Sequence, residues 1–276
     1  MKQVSFFDGE KRIAIFAALF TFTTSTHMKA IIIGATSGLG RGVAEALAAQ
    51  GYTVGMAGRR IEMLQSIAQQ YAEGRVVTQT MDVTSVEACT ALDSLLQRLG
   101  APDLLVYVAG IGFQNTQLDS EKELATVRTN CEGMVRVITH FVRYAVSCGA
   151  YHKGHKAHIA VVTSVAATAA MGAAPAYSAS KRMESTYVTA LVQLAHMQHW
   201  PLRFTDIRPG FVATALLNPD KRYPLLMTTD QAVKHIMRGI RRRRRVVVFD
   251  IRYKIIVFFW KLLPRAIWER MTFVNN

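Results

Sequence analysis

Cysteine, repeats and low-complexity segments are scarce or missing in this 276-residue chain, and each shortage excludes a class of protein. The three cysteines, Cys89, Cys131 and Cys148, are odd in number and unclustered, so they predict neither a disulfide framework nor a zinc site. Without internal repeats or biased segments, solenoid and fibrous classes are excluded. We therefore expect a globular protein of a reducing cytoplasm, with no bound metal.

A long apolar run is also missing. Residues 13–22 are apolar and follow Lys11 and Arg12, but a transmembrane helix needs about 20 such residues. No small-residue cleavage site precedes Met28, which argues against a signal peptide. Two interpretations of residues 1–27 stay open, a mis-assigned start and a weak anchor. We favour a start at Met28, because a strand-like segment follows at once.

What the chain does contain is a regular alternation of strands and helices. Half of its residues are hydrophobic, and its length suits one large α/β domain. Short β-rich runs alternate with amphipathic stretches, as in parallel βαβ units. Strands are predicted at 30–34, 52–57, 76–81, 103–108, 158–163, 203–207 and 246–249. Helices are predicted at 39–50, 59–73, 85–99, 120–148, 175–198 and 229–241.

This pattern predicts an α/β fold, a Rossmann-type doubly wound sheet of about seven parallel strands in three α/β/α layers. We expect a single catalytic domain over residues 28–249. Residues 1–27 would then be an N-terminal extension, and residues 250–276 a basic and apolar C-terminal extension.

The turn after the first predicted strand is rich in glycine. Such a turn lets the backbone approach a pyrophosphate, and the following helix N-terminus offers free N–H groups and a favourable dipole. The spacing G-x-x-x-G-x-G is a weak signal alone, and its position between strand and helix strengthens it. The predicted cofactor contacts here are Gly34, Thr36, Ser37, Gly38, Leu39 and Gly40.

The second strand ends in Gly58-Arg59-Arg60. An acid at this point commonly binds the ribose hydroxyls of NAD, whereas an arginine suits the 2′-phosphate of NADP. We therefore expect NADP(H), bound through Arg59. Arg60 is interpreted as a solvated arginine at the start of a helix.

The most specific constellation is Ser164 followed by Tyr177 and Lys181. A tyrosine and a lysine four residues apart share one face of a helix, and a serine at the end of the preceding strand can meet that face. A tyrosine serves as an acid/base near neutral pH only if positive charge stabilises its anion. Lys181 could supply that charge.

With these motifs in order, the chain resembles the short-chain dehydrogenase/reductase family over about residues 28–249. The quoted motifs are GATSGLG, Met81-Asp82-Val83, Val108-Ala109-Gly110, Asn130, Ser164, YSASK and Arg208-Pro209-Gly210-Phe211-Val212-Ala213-Thr214. One departure is Val108, where the family usually has asparagine.

The resemblance implies a role for each matching residue. Tyr177 would protonate the carbonyl oxygen, Ser164 would hydrogen-bond it, and Lys181 would hold the nicotinamide ribose and stabilise the tyrosine anion. Asn130 would anchor a water for proton relay. The further cofactor contacts implied are Asp82, Val83, Ala109, Gly110, Pro209, Gly210, Val212 and Thr214.

The expected function is thus an NADP(H)-dependent oxidoreductase that interconverts a carbonyl and an alcohol by hydride transfer. Residues 165–176 are small or apolar, which favours an apolar or bulky substrate. Two alternatives stay open, a carrier-linked 3-oxoacyl ketoreductase and a non-catalytic NADP(H)-binding regulator. We expect a homo-oligomer, with a dimer favoured.

The net charge of +14 is concentrated near the C-terminus. From Arg241 onward, ten Lys and Arg oppose Asp250 and Glu269, a net charge of 10 − 2 = +8. Peripheral membrane contact by residues 250–276 and packing on the domain or a second subunit are about equally favoured. No nucleic-acid binding is expected, since no known module is present.

Overall fold

A seven-stranded, wholly parallel sheet lies at the centre of the molecule, in the computed structural model that describes residues 28–217 and 222–271. The strands are β1 (Lys29–Ile33), β2 (Thr53–Gly58), β3 (Val76–Thr80), β4 (Leu104–Tyr107), β5 (Ala157–Val162), β6 (Leu202–Arg208) and β7 (Val246–Val248). Their order is β3-β2-β1-β4-β5-β6-β7. The predicted sheet is confirmed, with every strand end within one residue of its prediction.

Helices cover both faces of the sheet. They are α1 (Gly38–Ala49), α2 (Ile61–Ala68), α3 (Ala88–Leu99), α4 (Ser120–Val127), α5 (Gly133–Ser147), α6 (Pro175–Met197), α7 (Thr229–Arg241), α8 (Ile251–Leu262) and α9 (Arg265–Trp268). One core lies under α1, α2 and α7, and the other under α3, α5 and α6. The central strands β1, β4 and β5 are mostly apolar because both faces of the sheet are covered there.

Residues 120–148, predicted as one helix, contain a break. A π-helical turn over Arg128–Glu132 separates α4 from α5. It places Asn130 in the interior, where its amide bonds both backbone groups of Ile111. Gly133 follows, and a side chain there would run into Val83. The hydrogen bonds of one buried asparagine thus accompany a local departure from α-helical geometry. Such π-bulges are frequent at functional sites.

The helix predicted over 59–73 is shorter. Arg59 and Arg60 precede α2, and Arg60 is held in a non-helical conformation by its contacts with the glycine turn. At the other end, residues 69–75 form turns that return the chain to β3, with Gly74 at φ +76°. The amphipathic pattern therefore extended further than the helix itself.

The C-terminal helices pack against the carboxyl end of the sheet. Tyr253 and Val257 of α8 pack on Val165, just after β5. Trp268 of α9 donates its indole N–H to the carbonyl of Ala170 at 2.9 Å. Within residues 28–217 and 222–271, no helix combines the length and the apolar character required to cross a bilayer. The interpretation of residues 1–27 falls on a segment outside the described residues.

Candidate active site

The glycine turn lies at the carboxyl end of β1, where strand order reverses between β1 and β4. Gly34 has φ +93°, and a Cβ on it would lie 2.6 Å from the amide nitrogen of Ala109. A Cβ on Gly40 would run into the Gly34 carbonyl oxygen. Gly38 has φ +53° and begins α1. Because glycines occupy these three positions, no side chain covers the backbone beside the N-terminus of α1, an arrangement suited to an anion.

Arg60, not Arg59, contacts this turn. Its guanidinium donates to Thr36 Oγ1 at 2.9 Å and to Ser37 Oγ at 3.2 Å. Arg59 is exposed and acts on Asp82 through its charge. Arg60 was interpreted as a solvated arginine. In the structure it also hydrogen-bonds the glycine turn directly.

Asp82 and Val83 follow β3 on the same edge of the sheet. The Asp82 carboxylate accepts the backbone N–H and the hydroxyl of Thr84, at 2.9 and 2.7 Å. Partial burial raises the pKa of Asp82, but these bonds and the charge of Arg59 outweigh burial and lower it. Val83 is buried, and its carbonyl accepts from Arg136. Asp82 thus stays ionised and its conformation is fixed.

Tyr177 and Lys181 share one face of α6, as predicted. The Lys181 Nζ lies 5.9 Å from the centre of the Tyr177 ring. The ring rests against Gly112, where any side chain would overlap it. Gly112 was absent from the predicted site, and its place two residues after Gly110 was the only hint. The loop after β4 therefore fixes the position of the tyrosine.

Asn130, Lys181 and Gly110 meet below this tyrosine. A Cβ on Gly110 would lie 3.2 Å from both Asn130 Oδ1 and Lys181 Nζ. Asn130 Nδ2 donates to Ser180 Oγ at 2.9 Å. The π-helical turn and α6 are thus joined by a buried hydrogen bond, and the loop after β4 lies between them.

The Lys181 ammonium has a partner that the sequence did not predict, Glu184. Both carboxylate oxygens of Glu184 accept from Nζ, at 3.0 and 2.9 Å, and Lys181 also donates to the Val162 carbonyl at 3.3 Å. Glu184 is 0% exposed. The i,i+3 spacing could have suggested the pair, but not its burial.

Burial acts on both charges of this pair. It raises the pKa of Glu184 to about 7, against the opposing effect of the Lys181 charge. For Lys181, burial lowers the pKa, but the charge of Glu184 outweighs burial and the net shift is upward. The lysine is therefore held as a cation, while the carboxyl titrates near neutral pH.

The Tyr107 hydroxyl, at the end of β4, adds to this buried environment. It is buried without a hydrogen-bond partner among the described residues. Burial and then the charge of Glu184 raise its pKa, so Tyr107 stays neutral.

Val108, the next residue in the chain, packs its side chain into the core under α1. An apolar contact thus replaces the polar one expected of asparagine.

Ser164 lies two residues after β5 and caps a 3-10 turn over Val165–Thr168. Its Oγ accepts the Ala166 N–H at 3.1 Å. Because the oxygen is the acceptor there, the hydroxyl proton stays available for another acceptor. Val165 donates to the Pro209 carbonyl, so the loops after β5 and β6 are joined beside the serine.

The predicted contacts after β6 divide into two groups. Thr214 lies beside the glycine turn, 3.2 Å from where a Gly38 Cβ would be. Val212 pairs with Met227 through the backbone of its neighbours Phe211 and Ala213, so its own amide and carbonyl point to the other side. Gly210, in contrast, is covered by the ring of Tyr253, which would overlap any side chain there. The glycine accommodates the C-terminal extension.

Across the described ranges 28–217 and 222–271, no cluster of three or more His, Cys, Asp or Glu side chains could hold a metal ion. All three cysteines are free thiols.

Known proteins match this chain over most of its length. A family model described as short chain dehydrogenase matches residues 28–223. An uncharacterized oxidoreductase of Myxococcus xanthus is 29% identical over 250 residues, covering 88% of this chain and 96% of that protein. A putative ketoacyl reductase of Streptomyces coelicolor is 31% identical over 193 residues, 68% of this chain and 71% of the other.

A solved structure has the same fold. A short chain dehydrogenase from Burkholderia cenocepacia in complex with NADP superposes with a TM-score of 0.73 at 22% identity, covering 89% of this chain and 98% of its own. With the family match, the sheet order and the ordered motifs in agreement, the chain belongs to the short-chain dehydrogenase/reductase family of oxidoreductases.

Proposed function

We propose that this protein is an NADP(H)-dependent reductase of carbonyl compounds that can also oxidise the corresponding alcohols. The observation that carries the proposal is the placement of Tyr177 and Lys181 on one helix face, beside Asn130 and at the same sheet edge as the glycine turn. A nicotinamide cofactor supplies or accepts the hydride. Proton transfer and substrate orientation are left to the protein.

The residues at the sheet edge fit a dinucleotide. The bare backbone of Gly34 and Gly38 at the start of α1 suits a pyrophosphate. Arg59 and Arg60 follow β2, where a 2′-phosphate would be recognised by charge-assisted hydrogen bonds. Arg60 already donates to the turn, so its guanidinium lies beside the proposed cofactor site. The positive charges of both arginines would favour NADP(H) over NAD(H).

Tyr177 is proposed as the acid that protonates the carbonyl oxygen during reduction. Ser164 would donate its hydroxyl proton to the same oxygen, since its Oγ accepts from Ala166. Lys181 would bind the ribose and stabilise the tyrosine anion through its nearby charge. Asn130, held by Ile111 and Ser180, would fix the water that resupplies the proton.

Glu184 adjusts this arrangement in our proposal. Its carboxylate partly cancels the Lys181 charge from the buried side, at 2.9 Å. The positive field of Lys181 at Tyr177 is therefore weaker while Glu184 is ionised. Because the pKa of Glu184 is raised to about 7, this adjustment would change with pH near neutrality.

The substrate side is apolar. The turn after Ser164 consists of buried small residues, and Tyr253 and Val257 of α8 close its far side. An apolar carbonyl compound is therefore proposed as substrate. A carrier-linked 3-oxoacyl substrate is the second candidate, favoured by the similarity to the putative ketoacyl reductase of Streptomyces coelicolor. A cytoplasmic homodimer, with peripheral membrane contact by the C-terminal extension, completes the proposal.

The experiment is turnover by Tyr177→Phe with NADPH and a panel of apolar ketones and aldehydes. Removal of the hydroxyl should lower kcat by roughly 10²-fold or more, the usual size of general acid catalysis, while NADPH binding stays within a few-fold. Tyr187→Phe, on the same helix, is the matched control and should keep activity. Undiminished turnover by Tyr177→Phe would refute the proposed acid. Tight NADPH binding without turnover of any carbonyl by the unaltered protein would favour a regulator.

A further inference from the structure

Helix α8 has two apolar faces, and the described residues 28–217 and 222–271 cover only one of them. Tyr253 and Val257 pack inward, with Trp260 beside them. On the opposite side, a stripe of large apolar side chains is exposed. Its members are Ile251, Ile255, Phe258, Phe259 and Leu262, and Phe258 and Phe259 are 60% and 59% exposed.

The stripe follows the period of the helix. Its spacing of i, i+4, i+7, i+8 and i+11 places every member on one side, at about 100° of rotation per residue. A soluble helix usually turns such a stripe toward a core, but the core contacts of α8 come from its other side. Five large apolar side chains on one short helix form a continuous surface that calls for a partner.

Cations flank this surface on both sides. At the same rotation per residue, Arg252 and Lys254 fall on opposite edges of the stripe. Arg252 is paired with Asp250, whereas Lys254 has no ion pair within the described part of the chain. Residues 250–271 hold Arg252, Lys254, Lys261, Arg265 and Arg270 against Asp250 and Glu269, a net charge of 5 − 2 = +3. The exposed basic run Arg241–Arg244 precedes them.

We propose that this face of α8 lies in the interfacial layer of an anionic lipid membrane. An amphipathic helix with apolar side chains on one face and cations along its edges is built for that position. A second copy of the chain fits less well, because packing the stripe against itself would bring the same cations together. Crossing the membrane is not part of the proposal.

The inner contacts of α8 and α9 connect this surface to the substrate side of the active site. Tyr253 accepts the Phe211 N–H at 3.1 Å and donates to the Pro224 carbonyl at 3.0 Å. Trp268 holds Ala170, in the loop between Ser164 and Tyr177. If the proposed function is correct, membrane contact places the substrate loops next to lipid. The substrate class would then be long-chain, lipid-dissolved carbonyl compounds.

The experiment is co-sedimentation of the full chain with vesicles of neutral phosphatidylcholine, and with vesicles holding about a third phosphatidylglycerol, at low and high salt. We expect binding to the anionic vesicles that weakens with salt. The double variant F258S/F259S should lower partitioning by roughly 100-fold, since each buried phenylalanine is worth about tenfold or more. Val86→Ser, at a valine 74% exposed elsewhere, is the control and should bind like the unaltered protein.

Three outcomes would overturn the proposal. They are failure to bind anionic vesicles, equal binding by F258S/F259S, and equal binding to neutral and anionic vesicles. A salt-independent dimer that F258S/F259S dissociates would assign the face to a second copy instead. Because no cofactor or substrate is added, this test is independent of the proposed reaction.

A second measurement tests the substrate class. Vesicles should accelerate NADPH oxidation with a long-chain ketone but not with a short one. F258S/F259S should lose that acceleration and keep its activity on the short ketone. If vesicles bind but do not accelerate turnover of the long-chain ketone, the lipid-dissolved substrate is refuted. If no ketone is turned over at all, the proposed function fails while membrane contact stands.

Discussion

Two carboxylates, Glu184 and Asp206, are fully buried in this protein and their charges interact, but their hydrogen-bond partners differ. Asp206 accepts from Thr163 at 2.6 Å, from Ser185 at 2.8 Å and from Arg208 at 2.8 Å. Within the described part of the chain, Glu184 accepts from Lys181 alone. The first carboxylate has a full set of donors from three side chains, and the second depends on one cation.

This difference separates a structural charge from a functional one. A buried charge surrounded by donors is fixed in place, and removing it leaves those donors without a partner. A buried charge with a single cation affects that cation directly. Here the cation lies 5.9 Å from the centre of the Tyr177 ring, so the ionisation of Glu184 should be detectable in the reaction.

The largest effect is expected from Asp206→Ala. The change leaves the Arg208 guanidinium, which is mostly buried, without its counter-charge, and the free energy of unfolding should fall by about 3–5 kcal/mol. Urea denaturation measures it. Glu269→Gln removes an exposed ion pair with Arg265 and should change the same quantity by less than about 1 kcal/mol. Similar losses from both variants would show that burial of Asp206 does not matter.

The next effect is a change in pH dependence caused by Glu184→Gln. Glutamine keeps an acceptor for Lys181 and removes the charge, so the Lys181 field at Tyr177 grows stronger. Any inflection of carbonyl reduction near pH 7 should then disappear, because the pKa of Glu184 is raised to about 7. The kcat/KM profile between pH 5 and 10 measures it.

Glu184→Asp serves as the matched variant, because it keeps the charge with a shorter side chain. It should retain an inflection near neutral pH. A purely packing role for Glu184 would lower the stability of both variants and leave the two pH profiles parallel to that of the unaltered protein.

The smallest effect is expected from His158, a buried residue on β5. Its effect on the pH dependence of stability is opposite in sign to that of Glu184. Burial and then the charge of Arg203 lower its pKa to about 4. The stability that the neutral ring contributes is fully present above pH 6.5 and is lost as pH falls toward 4. Between pH 7 and 5.5 the protein should lose about 1 kcal/mol through this group.

His158→Gln should remove that loss and can still bond Thr205, which the ring contacts at 2.8 Å. Glu184 acts the other way, because its raised pKa costs stability as pH rises from 4.5 to about 7. Thermal unfolding at pH 5.5 and 7 distinguishes the two groups. If His158→Gln loses as much stability between pH 7 and 5.5 as the unaltered protein, a group other than His158 causes the loss.

How far the sequence predicted this structure depends on the kind of interaction. The strands were predictable because both faces of the sheet are covered, so their apolar runs end where the cover ends. Tyr177 and Lys181 were predictable because helix geometry fixes their spacing. The π-helical turn at Asn130 was not, since it results from hydrogen bonds to Ile111, far away in the chain.

The burial of charged side chains was equally unpredictable from local sequence patterns. Nothing in the spacing of Glu184 distinguishes it from a solvated helix residue, because its burial depends on how α6 packs on the sheet. Gly210 has a further role that its motif did not predict. The motif predicts a cofactor contact, and the lack of a side chain also makes room for Tyr253, more than 40 positions later.

That contact between Gly210 and Tyr253 also has a consequence for the order of events during synthesis. The sheet through β6 emerges from the ribosome before α8 does. The loops that carry Phe211 and Pro224 therefore obtain their hydrogen bonds to Tyr253 only when the C-terminal helices follow. A nascent chain could close its cofactor side first and its substrate side last.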